Sequence, residues 1–305
     1  MRTTWTLATV SLSAAVDLAS VDRHGLVDIS PATGRWLRNS ARRLLAYLDD
    51  ADRPVDQLTP REVAAWVQFD AARGLSAVSV NSNLRGVKTL YSRLQKNGVV
   101  GFNPAAPVTF LPEPPPRPKA VSEDHYLAMR RATDNARDRA LLDMLWASGC
   151  RLGGLLSMSL KGLEIWRAGG EWRVAALVTE KFAKSRYVYA RGPQADSLRA
   201  WLAERPSVDH DAVFLAIGDR AHGRPLSPVA VQHVLRRLRL GAGIPASAPT
   251  NAHAFRHAFA IRMLDAGHDL AAVSAWLGHS DPSFTARTYV TRREDELRRK
   301  WFGGD

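Results

Sequence analysis

Five prolines fall within ten residues in the stretch FLPEPPPRPK, Phe110 to Lys119. A proline ring removes a backbone donor and clashes with the preceding turn, so no helix continues through this stretch. A run this rich in proline favours an extended, semi-rigid tether. The chain is therefore predicted to divide into a domain over residues 1–110, a linker over 111–119 and a second domain over 120–305. At 305 residues it is long enough for each part to bury its own core.

The two sides of the tether carry different patterns. Upstream every readable segment is helical. SPATGRWLRNSARRLLAYL opens with Ser30 and Pro31 as cap and first-turn residue. LTPREVAAWVQFDAARG opens at Thr59 and Pro60 and stops at Gly74. SAVSVNSNLRGVKTLYSRLQKNG places Val80, Leu84, Val87, Tyr91 and Leu94 at helical spacing and stops at Gly98. Downstream the pattern is mixed. ARDRALLDMLWASGCRLGGLLSMSL reads as two helices joined near Gly149. EWRVAALVTEKFAKSRYVYA reads as a hairpin, with Trp172, Val174, Ala176 and Val178 alternating on one side and the turn around Lys181 to Ser185. SPVAVQHVLRRLRLGAG and DLAAVSAWLG are further capped helices, and a last helix is predicted from Asp281 and Pro282 to Tyr289.

The formal net charge is +12 and the isoelectric point about 10.4. So strong a basic bias favours a polyanionic partner, nucleic acid first. Two helix faces concentrate it. Arg85, Lys88, Ser92 and Lys96 share one, and Arg236, Arg237 and Arg239 cluster on another; Arg85, Lys88, Arg236 and Arg237 are the candidate DNA contacts. The single cysteine, Cys150, excludes an intrachain disulfide and a thiolate zinc cluster, and fits a reducing compartment such as the cytoplasm. The N-terminal MRTTWTLATVSLSAAVDLAS imitates a secretory signal only faintly, because Thr and Ser interrupt its apolar run; it reads as an arm followed by a helix. No apolar stretch approaches the length that spans a bilayer, so no membrane partner is expected.

One helix start is unusual. In TNAHAFRHAFAIRML, Phe255, Phe259 and Met263 recur every four residues, and Thr250 or Asn251 can cap the N-terminus. His253 and Arg256 then share the first turn, where cations oppose the helix dipole. A negative group should offset them. Taken with the rest of the chain, these residues form a series: Arg151, then Lys181 and Lys184 in the hairpin turn, then His253, Arg256 and His257, then His279 in LGHS and Tyr289. In this order they resemble the tyrosine recombinase, or phage integrase, family. The resemblance covers Val121 to Val290, and the upstream helices with Asn103-Pro104-Ala105 are similar to that family's core-binding domain. It implies a mainly α fold with a small β-sheet: a helical N-terminal core-binding domain and a mixed α/β catalytic domain. It also implies a double-stranded DNA target site, a homo-oligomer (a tetramer) on synapsed DNA, and no cofactor or metal.

The chemistry explains the residue types. Tyr289 would attack a DNA phosphodiester as nucleophile, leaving a 3′-phosphotyrosine. Arg151 and Arg256 would clamp the non-bridging oxygens with permanently charged donor forks. His253 would take the tyrosine proton, Lys181 would protonate the leaving 5′ oxygen, and His279 would donate to the phosphate. Lys184 is the rival to Lys181. The chain also departs from the family pattern. Gly154 stands where an acidic residue usually supports the first arginine, so support for Arg151 must come from elsewhere, and a glutamate at 154 is expected to be tolerated. EKFAK lacks the usual turn glycines, and TYVTRR lacks a histidine two residues after the tyrosine. The tail, with Trp301 and Phe302, is expected from the resemblance to dock on a neighbouring protomer.

Three other readings compete. A type IB topoisomerase shares the chemistry without synapsis. A non-catalytic DNA-binding regulator would suit the charge and leave the series unexplained. A zinc enzyme is suggested by the spacing of His253 and His257, but Ala254 stands where its general-base glutamate would be.

Overall fold

The computed structural model describes residues 10–21, 29–50, 52–114, 119–180, 185–218 and 222–278. Contacts divide the chain into two compact units, one ending at Pro115 and the other beginning at Pro116.

The first unit is built on four helices: α1 (Leu12–Ala19), α2 (Pro31–Leu48), α3 (Pro60–Ala72) and α4 (Ala77–Lys96). Their starts follow the capping rules. Ser30 and Ser76 accept from the backbone N–H three residues on, and Thr59 with Glu62 closes a reciprocal capping box. The apolar stripe of α4 is fully committed, with Val80, Leu84, Val87, Tyr91 and Leu94 buried against Leu37, Leu44, Val63 and Trp66. Helices α2 and α4 cross closely at Gly86. A Cβ there would sit 2.6 Å from the Ser40 Cβ, which no rotamer change relieves. Gly86→Ala is therefore expected to destabilise this unit by about 1–3 kcal/mol through overpacking, although alanine has the better helix propensity. A chemical-denaturation midpoint at or above that of the unmodified chain would show that the crossing is looser than this.

The start of the proline-rich stretch belongs to this unit. The buried Asn81 amide donates to the Leu111 carbonyl at 2.8 Å and to Glu113 Oε1 at 2.7 Å, and its oxygen accepts from the Leu111 N–H at 2.8 Å. A side chain of α4 thus clasps Leu111 and Glu113, at the start of the predicted tether.

The second unit contains α5 (Glu123–Arg131), α6 (Ala136–Ser148), α7 (Leu152–Leu156), α8 (Pro193–Glu204), α9 (Pro228–Gly241), α10 (Ala252–Asp265) and α11 (Leu270–Leu277). They accompany a three-stranded antiparallel sheet, β1 (Leu163–Ala168), β2 (Glu171–Thr179) and β3 (Ser185–Arg191), in sequence order. The hairpin pairs Val174 with Ala190, Ala176 with Val188 and Thr179 with Ser185. Val174, Ala176 and Val178 face the core as their alternation predicts, with Trp172 partly buried. The first strand was not legible: its Ile165 and Trp166 are exposed, so no buried alternation marks it.

Helix α6 runs through the centre and is buried on nearly every side, including Arg137, Asp138 and Asp143. These charges are satisfied locally. Asp143 accepts from Tyr126 Oη at 2.7 Å, Arg130 Nε at 3.0 Å and Ser197 Oγ at 2.5 Å, as a buried carboxylate requires. Among the described residues no helix is long and apolar enough to cross a membrane. The predicted helix ending at Tyr289 and the tail with Trp301 and Phe302 lie outside the described residues.

Candidate active site

Two helix ends and one strand end converge on the site. Helix α6 stops at Gly149, which adopts a left-handed conformation (φ +56°) suited to glycine. Cys150 follows, fully buried, and Arg151 opens α7 as its N-cap residue in extended conformation. This turn delivers Arg151 to the surface, with its side chain 42% exposed. Helix α11 stops in the same way, at Gly278 (φ +69°).

Arg256 fastens these two stops together. It leaves the first turn of α10, capped by Asn251 rather than Thr250, and is buried. One terminal nitrogen donates to the Gly149 carbonyl at 3.1 Å and the other to the Leu277 carbonyl at 2.7 Å. Both acceptors lie at helix C-termini, where unpaired carbonyls and the dipole favour a cation. Part of the negative partner sought for this helix start is therefore supplied by two other helices. Burial first, and the Arg151 charge second, lower the Arg256 pKa to about 10, which leaves it protonated at neutral pH.

His253 lies one turn before His257, ring centroids 4.4 Å apart at 75°. Partial burial, then Arg256, then Arg151 hold the His253 imidazole below its ordinary pKa, so it is neutral at pH 7 and can accept a proton. His257 is pushed to about 4 by burial, then by His253 and Arg256.

Support for Arg151 comes from a residue that the sequence did not single out. Glu180, at the end of β2, is almost wholly buried. Its Oε1 accepts the Arg151 backbone N–H at 3.2 Å and an Arg186 nitrogen at 3.0 Å, and its Oε2 pairs with the Arg151 guanidinium. Burial alone would raise the Glu180 carboxyl, but Arg186, the Arg151 N–H, Arg151 and Arg256 outweigh it and keep it below the ordinary carboxylate range. Arg186 was likewise not singled out, and Gly149 was read only as a junction between helices. The available signal was the pairing of Gly154 with an acidic residue directly before the hairpin lysine.

The structure thus brings together Arg151, His253 and Arg256. The hairpin ladder closes at Thr179 and Ser185, whose hydroxyls are 3.0 Å apart. Lys181 and Lys184, between them, lie outside the described residues, as do His279 and Tyr289. The candidate DNA contacts are scattered. Arg85 and Lys88 lie over the Phe110 ring, at 5.1 and 4.8 Å from its centroid, and Lys88 Nζ also donates to the Ala106 carbonyl at 3.0 Å. Arg236 is exposed on α9. Arg237, by contrast, pairs with Asp134 at 2.7 Å and with the buried Asp138, so its donors are engaged by carboxylates within the fold.

The chain is similar to known proteins over most of its length. Residues 119–296 match the phage integrase family, a span that includes every residue from Arg151 to Tyr289 in the series. The tyrosine recombinase XerC of Alcanivorax borkumensis is 31% identical over 76% of this chain and 75% of its own length. XerD of Chlorobaculum tepidum is 28% identical over 79% of this chain and 80% of its own. Among solved structures, the XerH site-specific recombinase in a post-cleavage complex with palindromic difH substrate has a TM-score of 0.69 at 18% identity, covering 92% of this chain and 81% of that one. A lambda integrase tetramer bound to a Holliday junction gives 0.67 at 17%, covering 90% and 76%. Those two likenesses concern the fold; with the family match and the XerC identity added, the chain belongs to the phage integrase family, the tyrosine-type site-specific recombinases.

Proposed function

We propose that this chain cuts and rejoins duplex DNA at a specific site through a covalent 3′-phosphotyrosine on Tyr289, acting in the cytoplasm as a tetramer of identical copies on two synapsed sites. The observation that carries this reading is a cationic pair beside a neutral imidazole. Arg256 donates to the Gly149 carbonyl, two residues before Arg151, and the pKa of His253, three residues before Arg256 on the same helix, is lowered by burial first and then by the two guanidiniums. Like charges held together on a rigid frame favour an anion between them, and the transition state of phosphoryl transfer is the anion that such donors serve best.

In this reading Tyr289 attacks the phosphorus and loses its proton to His253. Arg151, Arg256 and His279 hold the non-bridging oxygens, and Lys181 protonates the departing 5′ oxygen. The phosphotyrosine bond conserves the energy of the broken phosphodiester, so the new strand is sealed by reversal of the same step. The related structures support the partners: XerH was solved on its difH substrate, and lambda integrase as a tetramer on a Holliday junction. The test is a suicide substrate nicked beside the scissile phosphate, which should trap a covalent protein–DNA adduct. Recombinant products with paired sites would separate a recombinase from a topoisomerase, which would relax supercoils alone. No adduct would return the chain to the regulator reading.

Binding should draw on basic residues of both units, Arg85 and Lys88 in the first and Arg236 in the second. Each phosphate neutralised adds about 0.9 to the slope of log affinity against log salt. The unmodified chain is expected to show a steep slope, reduced by about one phosphate contact in Lys88→Ala and in Arg236→Ala. An affinity almost independent of salt would refute this mode of binding.

A further inference from the structure

We infer that Glu180 is the positioning residue for Arg151, and that it supplies from the strand end a carboxylate whose place is equally reachable from position 154. The inference deepens the active-site reading above and rests on it. Three observations lead to it. First, Arg151 is a long side chain 42% exposed, yet both its backbone N–H and its guanidinium are held by one carboxylate that is itself 5% exposed. Second, the carboxylate has no other described task than holding arginines: its remaining partner is Arg186, 17% exposed, on β3. Third, the space is shared. Gly154 is the third helical residue after the N-cap Arg151, the position from which a side chain reaches back to the cap's backbone N–H. A Cβ on Gly154 would fall 3.2 Å from both Cγ and Oε1 of Glu180. The glycine at 154 is thus the room that the Glu180 side chain occupies.

The geometry adds a condition to the tolerance expected of a glutamate at 154: Glu180 must give by a few tenths of an ångström to admit its Cβ. With Glu180 present, Gly154→Glu sets a second carboxylate against the first in a closed space. It also gives the position a consequence for the hairpin. Glu180 precedes Lys181 directly, and through Arg186 it grips the other strand of the same hairpin. One carboxylate therefore ties the arginine of a helix start to the base of the loop that carries the lysines. A carboxylate on α7 would hold Arg151 without making that second tie from the backbone of β2.

The experiment compares Glu180→Gly, Gly154→Glu and the double exchange Gly154→Glu/Glu180→Gly in single-turnover cleavage of the suicide substrate. Glu180→Gly is expected to slow cleavage about 10²-fold, the order of effect of a misplaced catalytic group. The loss should appear in the rate of adduct formation and leave DNA affinity nearly unchanged. It should persist on DNA with sulfur at the 5′ bridging position, since Arg151 serves charge and not leaving-group protonation. Gly154→Glu alone should also be slow. The double exchange should recover to within about tenfold of the unmodified chain. A folded double variant no faster than Glu180→Gly overturns the inference. Should the double variant not fold, Glu180→Gln decides: it keeps the shape and removes the charge, and unimpaired cleavage would overturn the proposal. Arginine-selective nitrogen NMR gives a readout that needs no chemistry. Rotation of the Arg151 guanidinium should be slow in the unmodified chain and fast in Glu180→Gly, and equal rotation in both would also overturn it. If the unmodified chain forms no adduct while this NMR contrast holds, the active-site reading fails and the role of Glu180 stands.

Discussion

Tyr289→Phe is expected to form no covalent adduct with either normal DNA or DNA whose scissile phosphate carries sulfur at the 5′ bridging position. No leaving group replaces a nucleophile. Lys181→Ala should behave differently. It should cleave normal DNA slower by roughly 10² to 10⁴, the effect of losing a general acid. It should regain most of that on the sulfur substrate, because a thiolate departs without a proton whereas an alkoxide does not. Arg256→Ala should stay slow on both, since its guanidinium is held by two carbonyls and, in the proposed reaction, acts through charge. Rescue of Lys184→Ala in place of Lys181→Ala would move the acid by three residues. Rescue of neither would place the acid outside the hairpin.

The second large effect concerns a residue with no functional group. Gly149 combines a left-handed backbone with a crowded surrounding: a Cβ there would lie 2.6–2.7 Å from Cβ, Cγ and Cδ1 of Phe259. Those atoms are the root of a buried ring and have no free end to swing aside. Gly149→Ala should cost about 1 kcal/mol for the backbone and about 1–3 kcal/mol for the overpacking. It should also slow cleavage about 10²-fold, because the Gly149 carbonyl orients Arg256 and the same turn aims Arg151. Gly243→Ala is the matched control. Its φ of +68° is equally left-handed, but nothing lies within 4 Å of the added Cβ, so only the backbone cost applies. Equal destabilisation of the two in urea would show that Phe259 yields, and full cleavage by Gly149→Ala would show that the turn does not position the arginines.

The comparison of these glycines also shows what the sequence could reveal. Helix limits were legible wherever a polar cap and a terminal glycine bracketed a periodic run, as at Ser30, Thr59, Asp269 and Gly278. The hairpin was legible because Val174, Ala176 and Val178 face a core on one side only. The family was legible from the order of its polar residues. Their supports were not, because these cross long stretches of chain. Arg256 reaches a carbonyl 107 residues earlier, and Arg151 a carboxylate 29 residues later. Nothing local in AHAFRH or CRLGG states either partner. For the same reason the ion pairs of Arg237, a candidate DNA contact beside Arg236, were not legible. Its spacing on α9 is indistinguishable from that of its neighbour, and only the fold brings Asp134 and Asp138 to it.

The clasp made by Asn81 bears on how such a chain can be recombined with others. Residues 111–113 are coded beside the tether yet are stitched to a helix thirty residues upstream. A gene fusion that exchanges N-terminal units at the first proline would replace Glu113 and remove its hydrogen bond from the buried Asn81 amide, while the two bonds to the Leu111 backbone stay with the first unit. The natural seam lies a few codons later, at the junction of Pro115 and Pro116, where the donor module keeps the strap that closes it. A shuffled library cut at that seam would keep Asn81 and Glu113 in one module, and sequence variation at Asn81 would be bound to variation at Glu113, since Leu111 takes part through its backbone alone.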